Sequence, residues 1–331
     1  MTGDDGQSDM IIDDDGVAYC TEAANEFGKR IRAGSDVSDA PPGKRRAPPI
    51  QILHCSIDWH YESHFRILVD GQHIKYITIE LGVYPFEYMD GYPSGAYGFD
   101  EVFFASELIP LLPPFPPGDW NEGRIVRDRT TDQPVFAWTE RRSLPGISRA
   151  WHPVQVDYLS LAPGKYLRST YAYEVTCSSS QLDSQFRGVV MIAKFARSSN
   201  QIEYLDNETR MYEWIEGQDI GPRFLGHVTE EGRIIGFLVE KIIDGRRPAS
   251  IDDLPLCLDV VKRLHGLGIV HRDLDRHNFI ISDSHALLVG FDHAEKCDDQ
   301  VAMDRELHRL EQTLLGRWDE WPSFLESALE P

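Results

Sequence analysis

The chain of 331 residues is long enough for one large domain or two ordinary ones, and its 41% hydrophobic content can form a substantial core. A formal net charge of −21 argues against a general binder of nucleic acids or anionic membranes, because such partners would be repelled over most of the surface. The first residues do not have the pattern of a secretory signal, and no apolar stretch reaches membrane-spanning length. The five cysteines are scattered and form no CxxC pair, which is typical of free thiols in a reducing compartment. We therefore expect a soluble, intracellular, cytoplasmic protein.

Residues 1–47 are rich in Asp, Gly, Ser and Pro and lack a sustained apolar period, which predicts a disordered, acidic and proline-rich N-terminus. The basic cluster Lys44, Arg45 and Arg46 allows a nuclear targeting signal as an alternative, although flanking prolines favour a solvated linker.

A β-rich region is predicted from residue 48 to residue 150. Asp70-Gly71 lies between two β-prone runs, which is a strong signal for a two-residue hairpin turn. The stretch IPLLPPFPPGDW is too dense in proline for a helix or a central strand, so a loop or an extended connector is predicted there. A polyproline ligand for a partner domain is the alternative.

After residue 150 the pattern predicts strands over residues 154–161, 167–176 and 189–195, with a turn at APGK between the first two. A helix follows, since the apolar residues of IEYLDNETRMYEWIEG share one face and Gly217 suits its C-cap. A second helix begins near Ser250, which forms a capping-box spacing with Asp253.

The most specific segment is GIVHRDLDRHNFIIS, in which five residues fill the pattern HRDLxxxN: His271, Arg272, Asp273, Leu274 and Asn278. An aspartate near an attacking hydroxyl can accept its proton, and an asparagine five residues later can ligate magnesium that bridges phosphates. On this motif the chain resembles the protein kinase-like superfamily, and among its members the divergent fungal kinase-like proteins with a reduced C-terminal lobe.

The resemblance implies an α+β, bilobal protein kinase-like fold that follows the β-rich N-terminal extension. The N-lobe would cover residues 151–240 and the reduced C-lobe residues 245–331, with ATP and Mg²⁺ in the cleft between them. In VVMIAKFA, Lys194 would hold the ATP phosphates, and Glu208 on the next helix would pair with that lysine.

Two further segments take their expected roles from the resemblance alone. The turn LAPGKYLRST stands where the superfamily has a glycine-rich flap over the phosphates, with Gly164 as its single glycine and Lys165 as an ordinary turn residue. FLVEKIIDG stands at the hinge, where the backbone of Glu240 to Ile242 would meet adenine.

The segment LLVGFDHAEK departs from the superfamily pattern. Phe291 and Ala294 match DFxxA, and this register puts Gly290 where a magnesium-binding aspartate is expected. Asp292, two residues later, would face the same side of an extended strand and so reach the metal. A surface carboxylate that pairs with Lys296 or with the neighbouring histidines remains an equal alternative.

These residues predict an ATP-dependent phosphotransferase that acts on an unidentified protein or small-molecule hydroxyl. Asp273 would be the base, with Lys194 and Glu208 as further catalytic residues, and Asn278 and Asp292 would bind the metal. The alternative is a pseudokinase, because Gly290 replaces a metal ligand. We also expect Asp304 on a following helix to cap the backbone of the HRD loop, and we expect the nearby histidines to be structural, with no zinc site.

Overall fold

The computed structural model describes residues 10–12, 18–20, 49–57, 60–84, 106–167, 172–242, 249–282 and 284–315. The chain divides into two compact units between Ala47 and Pro48. In the first unit, strand β1 (Met10–Ile12) pairs antiparallel with β2 (Ala18–Cys20). The predicted disorder of the rest of residues 1–47, and the basic cluster within them, lie outside the described residues.

The second unit is a mixed α+β structure and opens with a five-stranded sheet in the order β3-β4-β5-β6-β7. All neighbouring strands are antiparallel except β5 and β6. A hairpin at Asp70-Gly71 is confirmed, and both residues are left-handed (φ 56° and 67°). The predicted two-residue turn is wrong, because Val69 pairs with His73 and the loop therefore has three residues, 70–72. The strands are β3 (Ile50–Ser56), β4 (Ser63–Val69), β5 (His73–Ile79), β6 (Glu122–Arg127) and β7 (Pro134–Glu140).

The prediction that the proline-rich stretch avoids helix is wrong at its start. Ser106–Leu111 forms a 3₁₀ helix that includes Pro110. Such a short helix needs few N–H donors, and burial of Leu108 in the core of the five-stranded sheet adds a hydrophobic contribution that holds it in place.

A six-stranded sheet follows, in the order β8-β12-β13-β11-β10-β9. Helix α1 (Ile202–Trp214) connects β11 to β12 and packs against β13 through its apolar face. The strands are β8 (Gln155–Asp157), β9 (Ala162–Tyr166), β10 (Ala172–Thr176), β11 (Met191–Phe195), β12 (Phe224–Glu230) and β13 (Arg233–Glu240).

Two predictions about the start of this sheet are corrected. The first predicted strand is confined to Gln155–Asp157, because a 3₁₀ turn at Tyr158–Ser160 follows it, capped by Asp157. The APGK turn is part of strand β9, in which Pro163 pairs with Val175. A Cβ at Gly164 would stand 2.9 Å from the carbonyl oxygen of Glu174, so this glycine permits a close approach of two strands, not a turn.

The remaining part is mainly helical and carries the HRD segment between its elements. The capping box of Ser250 and Asp253 is present one turn before α2. Two short antiparallel pairs, β14 with β17 and β15 with β16, flank the loops that follow α2. The elements are α2 (Leu254–Gly266), β14 (Ile269–Val270), β15 (Phe279–Ile281), β16 (Ala286–Leu288), β17 (Glu295–Lys296) and α3 (Gln300–Leu314).

Within the described ranges, no helix is both long and apolar enough to cross a bilayer. Four of the cysteines are free thiols, as predicted: Cys55, Cys177, Cys257 and Cys297.

Candidate active site

Lys194 and Glu208 form an ion pair between strand β11 and helix α1. Their Nζ and Oε2 atoms are 2.5 Å apart, with 13% of the lysine side chain and 2% of the glutamate side chain exposed. Alternate residues of β11 face the core, so Lys194 lies on the opposite face, towards α1. Burial raises the pKa of Glu208, while the charge and hydrogen bond of Lys194 act in the opposite direction. The pair therefore fixes a cation beside a helix that carries its counter-ion.

Helix α1 is also bonded to the segment that begins at Gly290. The Asn207 side-chain amide donates to the carbonyl oxygens of Asp292 and Ala294, both at 2.9 Å. The backbone of Phe291 acts to lower the pKa of Glu208, so this backbone lies close to the carboxylate. Two consecutive residues of α1 thus connect the lysine pair to the GFD sequence.

Phe291 is fully buried and joins α1 to the HRD loop. Its ring centroid lies 5.5 Å from that of Tyr212, edge to face, and 5.2 Å from that of His271. Tyr212 stands one turn after Glu208 on α1. Since edge-to-face aromatic contacts restrict the relative orientation of the elements that carry them, Phe291 couples the position of α1 to that of the loop.

The HRD loop is held in place by hydrogen bonds to Val289 and to Glu306. Nε2 of His271 donates to the carbonyl oxygen of Val289 at 3.1 Å, and burial lowers the pKa of His271, which keeps the ring neutral near pH 7. Glu306 on α3 accepts from the N–H groups of His271 (3.2 Å) and Arg272 (2.7 Å) and from Nε2 of His265 (2.6 Å). Burial acts to raise the pKa of Glu306, and these hydrogen bonds outweigh it and lower the pKa.

The prediction that Asp304 caps this loop is therefore wrong. Asp304 accepts from the side chain of Gln300 on its own helix. Residues two apart on a helix point about 200° apart, so if Glu306 faces the loop, Asp304 faces away from it.

Arg272 is held in an unusual backbone conformation and its side chain is already paired. Its φ of 70° is uncommon for a residue other than glycine, and the hydrogen bond from its N–H to Glu306 holds it there. Its guanidinium Nε donates to Glu295 at 2.9 Å. The arginine thus joins the start of the loop to strand β17.

Asp273 and Asn278 are in direct contact. The Asn278 side-chain amide donates to the Asp273 backbone oxygen at 2.8 Å and to its carboxylate at 3.0 Å. Asp275 caps the 3₁₀ turn Arg276–Asn278 that brings the asparagine back towards the aspartate. Asp273 itself is exposed, so its carboxylate is accessible to a hydroxyl from solvent.

Gly290 lies directly against Asn278. It adopts φ 78° and ψ 46°, and a Cβ placed on it would be 2.6 Å from Oδ1 of Asn278. The Asn278 nitrogen is directed at Asp273, so its oxygen lies over the glycine. The space that a side chain at this position would enter is thus occupied by a candidate metal-binding oxygen.

Asp292 is not placed as predicted, because the backbone here is not extended. Gly290 is left-handed and Phe291–His293 forms a 3₁₀ turn, so residues 290 and 292 do not follow the alternation of a strand. The Asp292 carboxylate is 32% exposed and lies 3.6 Å from Nε2 of His293. Its negative charge acts to raise the pKa of Glu208 and, against the larger effect of burial, that of His271. Asp292 therefore lies on the side of the lysine pair and the HRD loop.

The remaining predicted nucleotide contacts are partly engaged elsewhere. The Glu240 N–H donates to the carbonyl oxygen of Arg223 at 2.9 Å, so it is already engaged within the sheet. The other two residues of the predicted hinge, Lys241 and Ile242, are half-buried. Gly164 lies in β9 against Glu174, and the chain that follows β9 is described only as far as residue 167.

Asn207 and Glu306 both organise the site, and neither was predicted from the sequence. Neither stands in a recognisable motif. The direction in which each acidic residue of α3 points could have identified Glu306. The prediction instead chose Asp304, two residues earlier on the same helix.

No family model matches the chain. It is similar to a probable bifunctional tRNA threonylcarbamoyladenosine biosynthesis protein from Methanoculleus marisnigri, with 32% identity over 79 residues, a stretch that is 24% of this chain and 15% of that relative. The match thus spans a minor part of either protein.

Proposed function

We propose that this chain is an ATP-dependent phosphotransferase of the protein kinase-like superfamily, with a bilobal fold, that transfers the γ-phosphate of ATP to a hydroxyl of a protein or a small molecule. The observation that carries the proposal is the continuous path of contacts from Lys194 through Glu208 and Phe291 to the HRD loop. It supports one site built from residues of three separate segments: a cation for phosphates, a carboxylate for a proton and an amide oxygen for a metal.

Each residue then has a role set by its chemistry. Lys194 binds phosphate oxygens, and Glu208 keeps its ammonium group in place. Asp273 accepts the proton of the acceptor hydroxyl, and its hydrogen bond from Asn278 keeps its carboxylate oriented. Phosphoryl transfer depends mainly on such positioning and on neutralising charge, so an array that is fixed before the nucleotide binds suits the reaction.

The residues present fit a magnesium ion with few protein ligands. Mg²⁺ prefers oxygen ligands and is usually held by one or two side chains together with substrate phosphates and water. Asn278 contacts Asp273 through its nitrogen and not through Oδ1, and Asp292 acts electrostatically on Glu208 and His271. When bound, the ion would neutralise phosphate charge, and Asn278 and Asp292 would hold it.

The alternative function is a pseudokinase that binds nucleotide or partners without efficient transfer. The observation that favours it is Gly290, whose side-chain space is filled by Asn278. By analogy with the removal of one preorganised charge interaction, a missing carboxylate would cost about 3–4 kcal/mol of transition-state stabilisation, or several hundred-fold in rate.

The acceptor stays open between a protein and a small molecule. In the part of the chain that the structure describes, only residues 295–299 separate the GFDHA sequence from α3, which leaves little chain to support an extended peptide. Arg272 is neutralised by Glu295, so its charge needs no phosphate on a neighbouring segment.

ADP release from Mg-ATP over panels of peptide and small-molecule hydroxyls tests the proposal, with Asp273→Asn as the critical variant. Loss of a general base costs on the order of 100-fold or more. The exposed Asp259→Asn on α2 is the control and should keep the wild-type rate.

Nucleotide-dependent thermal stabilisation without ADP release would favour the pseudokinase. Absence of both would refute the nucleotide site. A rate unchanged by Asp273→Asn would refute its role as the base, and loss of magnesium dependence in Asp292→Asn would support its role as a ligand.

A further inference from the structure

The segment that joins the two sheets is bonded to the outer face of helix α1. It consists of residues 145–151, which we call the brace. Asp206 accepts hydrogen bonds from the N–H of Ser148 (2.7 Å), the hydroxyl of Ser148 (3.0 Å) and the N–H of Arg149 (3.3 Å). One helix residue therefore receives three donors from the brace.

Two more contacts continue along the same face of α1. The Arg149 guanidinium forms two hydrogen bonds with the carboxylate of Glu213, at 2.6 and 3.0 Å. Trp151 donates its indole N–H to the carbonyl oxygen of Thr209 at 3.0 Å. The contacted positions 206, 209 and 213 are spaced by three and four residues, so they form one stripe on the helix.

Glu208 points away from this stripe. It stands two positions after Asp206, about 200° around the helix axis, and meets Lys194 and the Phe291 backbone. Helix α1 is thus held on one side by the brace and on the other by the candidate active site. A shift or rotation of the helix that breaks one set of contacts also strains the other.

The other end of the brace is fixed to the start of strand β13. The Arg233 guanidinium donates to the carbonyl oxygen of Pro145 at 2.6 Å, and the Ile147 N–H donates to Ile234 at 2.8 Å. Ile147 is also buried in the core that contains α1. The brace therefore has a rigid support at its start and reaches α1 within a few residues.

That support is shared with the five-stranded sheet through a buried polar cluster. Arg66 of β4 donates its Nε to Glu230 at 3.0 Å and lies over the Tyr158 ring, 4.1 Å from its centroid. Tyr76 of β5 donates its hydroxyl to Glu230 at 2.7 Å and accepts from Arg233 at 2.6 Å. The sheet, the β12–β13 turn and the brace are therefore connected by hydrogen bonds from end to end.

We propose that the brace is a positioning element by which the β-rich region holds α1 in the orientation where Glu208 meets Lys194, and so sets the affinity of the site for nucleotide. The proposal rests on the proposed function for the nucleotide and on the contacts above for the geometry. It gives the β-rich region a regulatory role in cis, since anything that loosens its attachment would loosen α1.

The test compares Asp206→Ala, which removes the acceptor of the three brace hydrogen bonds and of the Arg210 side chain, with Asp206→Asn, which keeps an acceptor oxygen for the brace. Trp151→Phe removes the indole donor and keeps an aromatic ring. Arg142→Ala is the control, because Arg142 precedes the brace and its side chain pairs with Glu122 and Glu140 of the five-stranded sheet, away from α1. Each full-length variant is measured for amide hydrogen exchange of α1 and for its dissociation constant with Mg-ATP.

We expect Asp206→Ala and Trp151→Phe to raise exchange in α1 and to weaken Mg-ATP binding by about fivefold or more, the usual lower range of coupling between sites. Asp206→Asn and Arg142→Ala should match the wild type. In a Lys194→Met background the loss of affinity should disappear, because the brace acts through that lysine. A structural role alone would lower stability without this dependence on Lys194.

Wild-type exchange in α1 of nucleotide-free Asp206→Ala would overturn the proposal, and so would a loss of affinity that persists in the Lys194→Met background. If the wild-type protein bound no nucleotide, the proposed function would fail, whereas the exchange measurement would still decide whether the brace positions α1.

Discussion

Replacing Lys194 with methionine should destabilise the protein in a way that depends strongly on pH. The substitution keeps most of the side-chain volume and removes the cation that faces Glu208. The glutamate is 2% exposed, so it would remain as a buried carboxylate without its cationic partner. Such a group is costly when it is ionised and much less costly when it is protonated.

The magnitude follows from the burial of the pair. Breaking a buried ion pair by removing one partner costs about 3–5 kcal/mol. Because the Phe291 backbone still acts to lower the pKa of Glu208, we expect the lower end of this range, about 3 kcal/mol, at pH 8. Burial already raises the pKa of Glu208 in the wild type, and loss of Lys194 removes the charge that opposes this rise.

The sign of the pH dependence is fixed by the direction of that shift. A carboxyl whose pKa is higher in the folded state contributes stability that is fully present below its unfolded pKa and is lost as pH rises through the folded pKa. The loss is about 1.4 kcal/mol for each pH unit between the two values. Lys194→Met should therefore cost about 1 kcal/mol or less at pH 5 and reach its full cost at pH 8.

Urea unfolding at pH 5 and pH 8, followed by tryptophan fluorescence, measures both values. The effect of pH on the strongly acidic chain as a whole is common to wild type and variant and cancels in the difference. The double variant Lys194→Met/Glu208→Gln should be less destabilised than Lys194→Met at pH 8 and should show little pH dependence. A Lys194→Met variant as stable as the wild type, or equally destabilised at both pH values, would refute the buried pair.

Three other substitutions have defined outcomes. Gly290→Asp should release ADP in the presence of magnesium roughly tenfold or more faster than Gly290→Ala. Both variants bear the strain of a left-handed residue, and only Gly290→Asp adds a metal ligand. Equal rates of the two variants would contradict this. Glu306→Gln should lower the free energy of unfolding in urea by about 1–3 kcal/mol at pH 7 and by less near pH 4. The pKa of Glu306 is lowered in the folded state, so the stability that its carboxylate contributes is lost as pH falls through that folded-state pKa. A cost that does not change with pH would contradict this. Arg66→Met should cost about 1–3 kcal/mol, because Glu230 loses one buried partner and keeps Arg233 and Tyr76. Exposed Arg142→Ala should leave the melting temperature near the wild-type value, and equal shifts of the two variants in calorimetry would contradict the buried cluster.

The sequence predicted the elements whose signals are local. Asp70-Gly71 marks its hairpin because the turn requires positive φ at both positions, and Ser250 with Asp253 marks the start of a helix through contacts three residues apart. The pairing of Lys194 with Glu208 was implied by the resemblance to kinase-like proteins, and the two residues are in contact.

Features that depend on tertiary contacts were missed or misplaced. Gly164 was assigned to a turn because Pro-Gly is a turn signal, but the close approach of Glu174 puts it in a strand. Asp292 was aligned with Gly290 on the assumption of extended backbone, and a 3₁₀ turn breaks that alternation. The brace has no motif at all, since Ser148 and Asp206 become neighbours only when the two sheets and α1 are assembled.

The most direct test of the central claim is a crystal structure with a non-hydrolysable Mg-ATP analogue. The account predicts the analogue's phosphates within hydrogen-bond distance of Lys194 Nζ, about 3 Å, and the metal about 2.1 Å from the side-chain oxygen of Asn278. An analogue bound away from the lysine pair, or phosphates that contact neither Lys194 nor the metal held by Asn278, would contradict it.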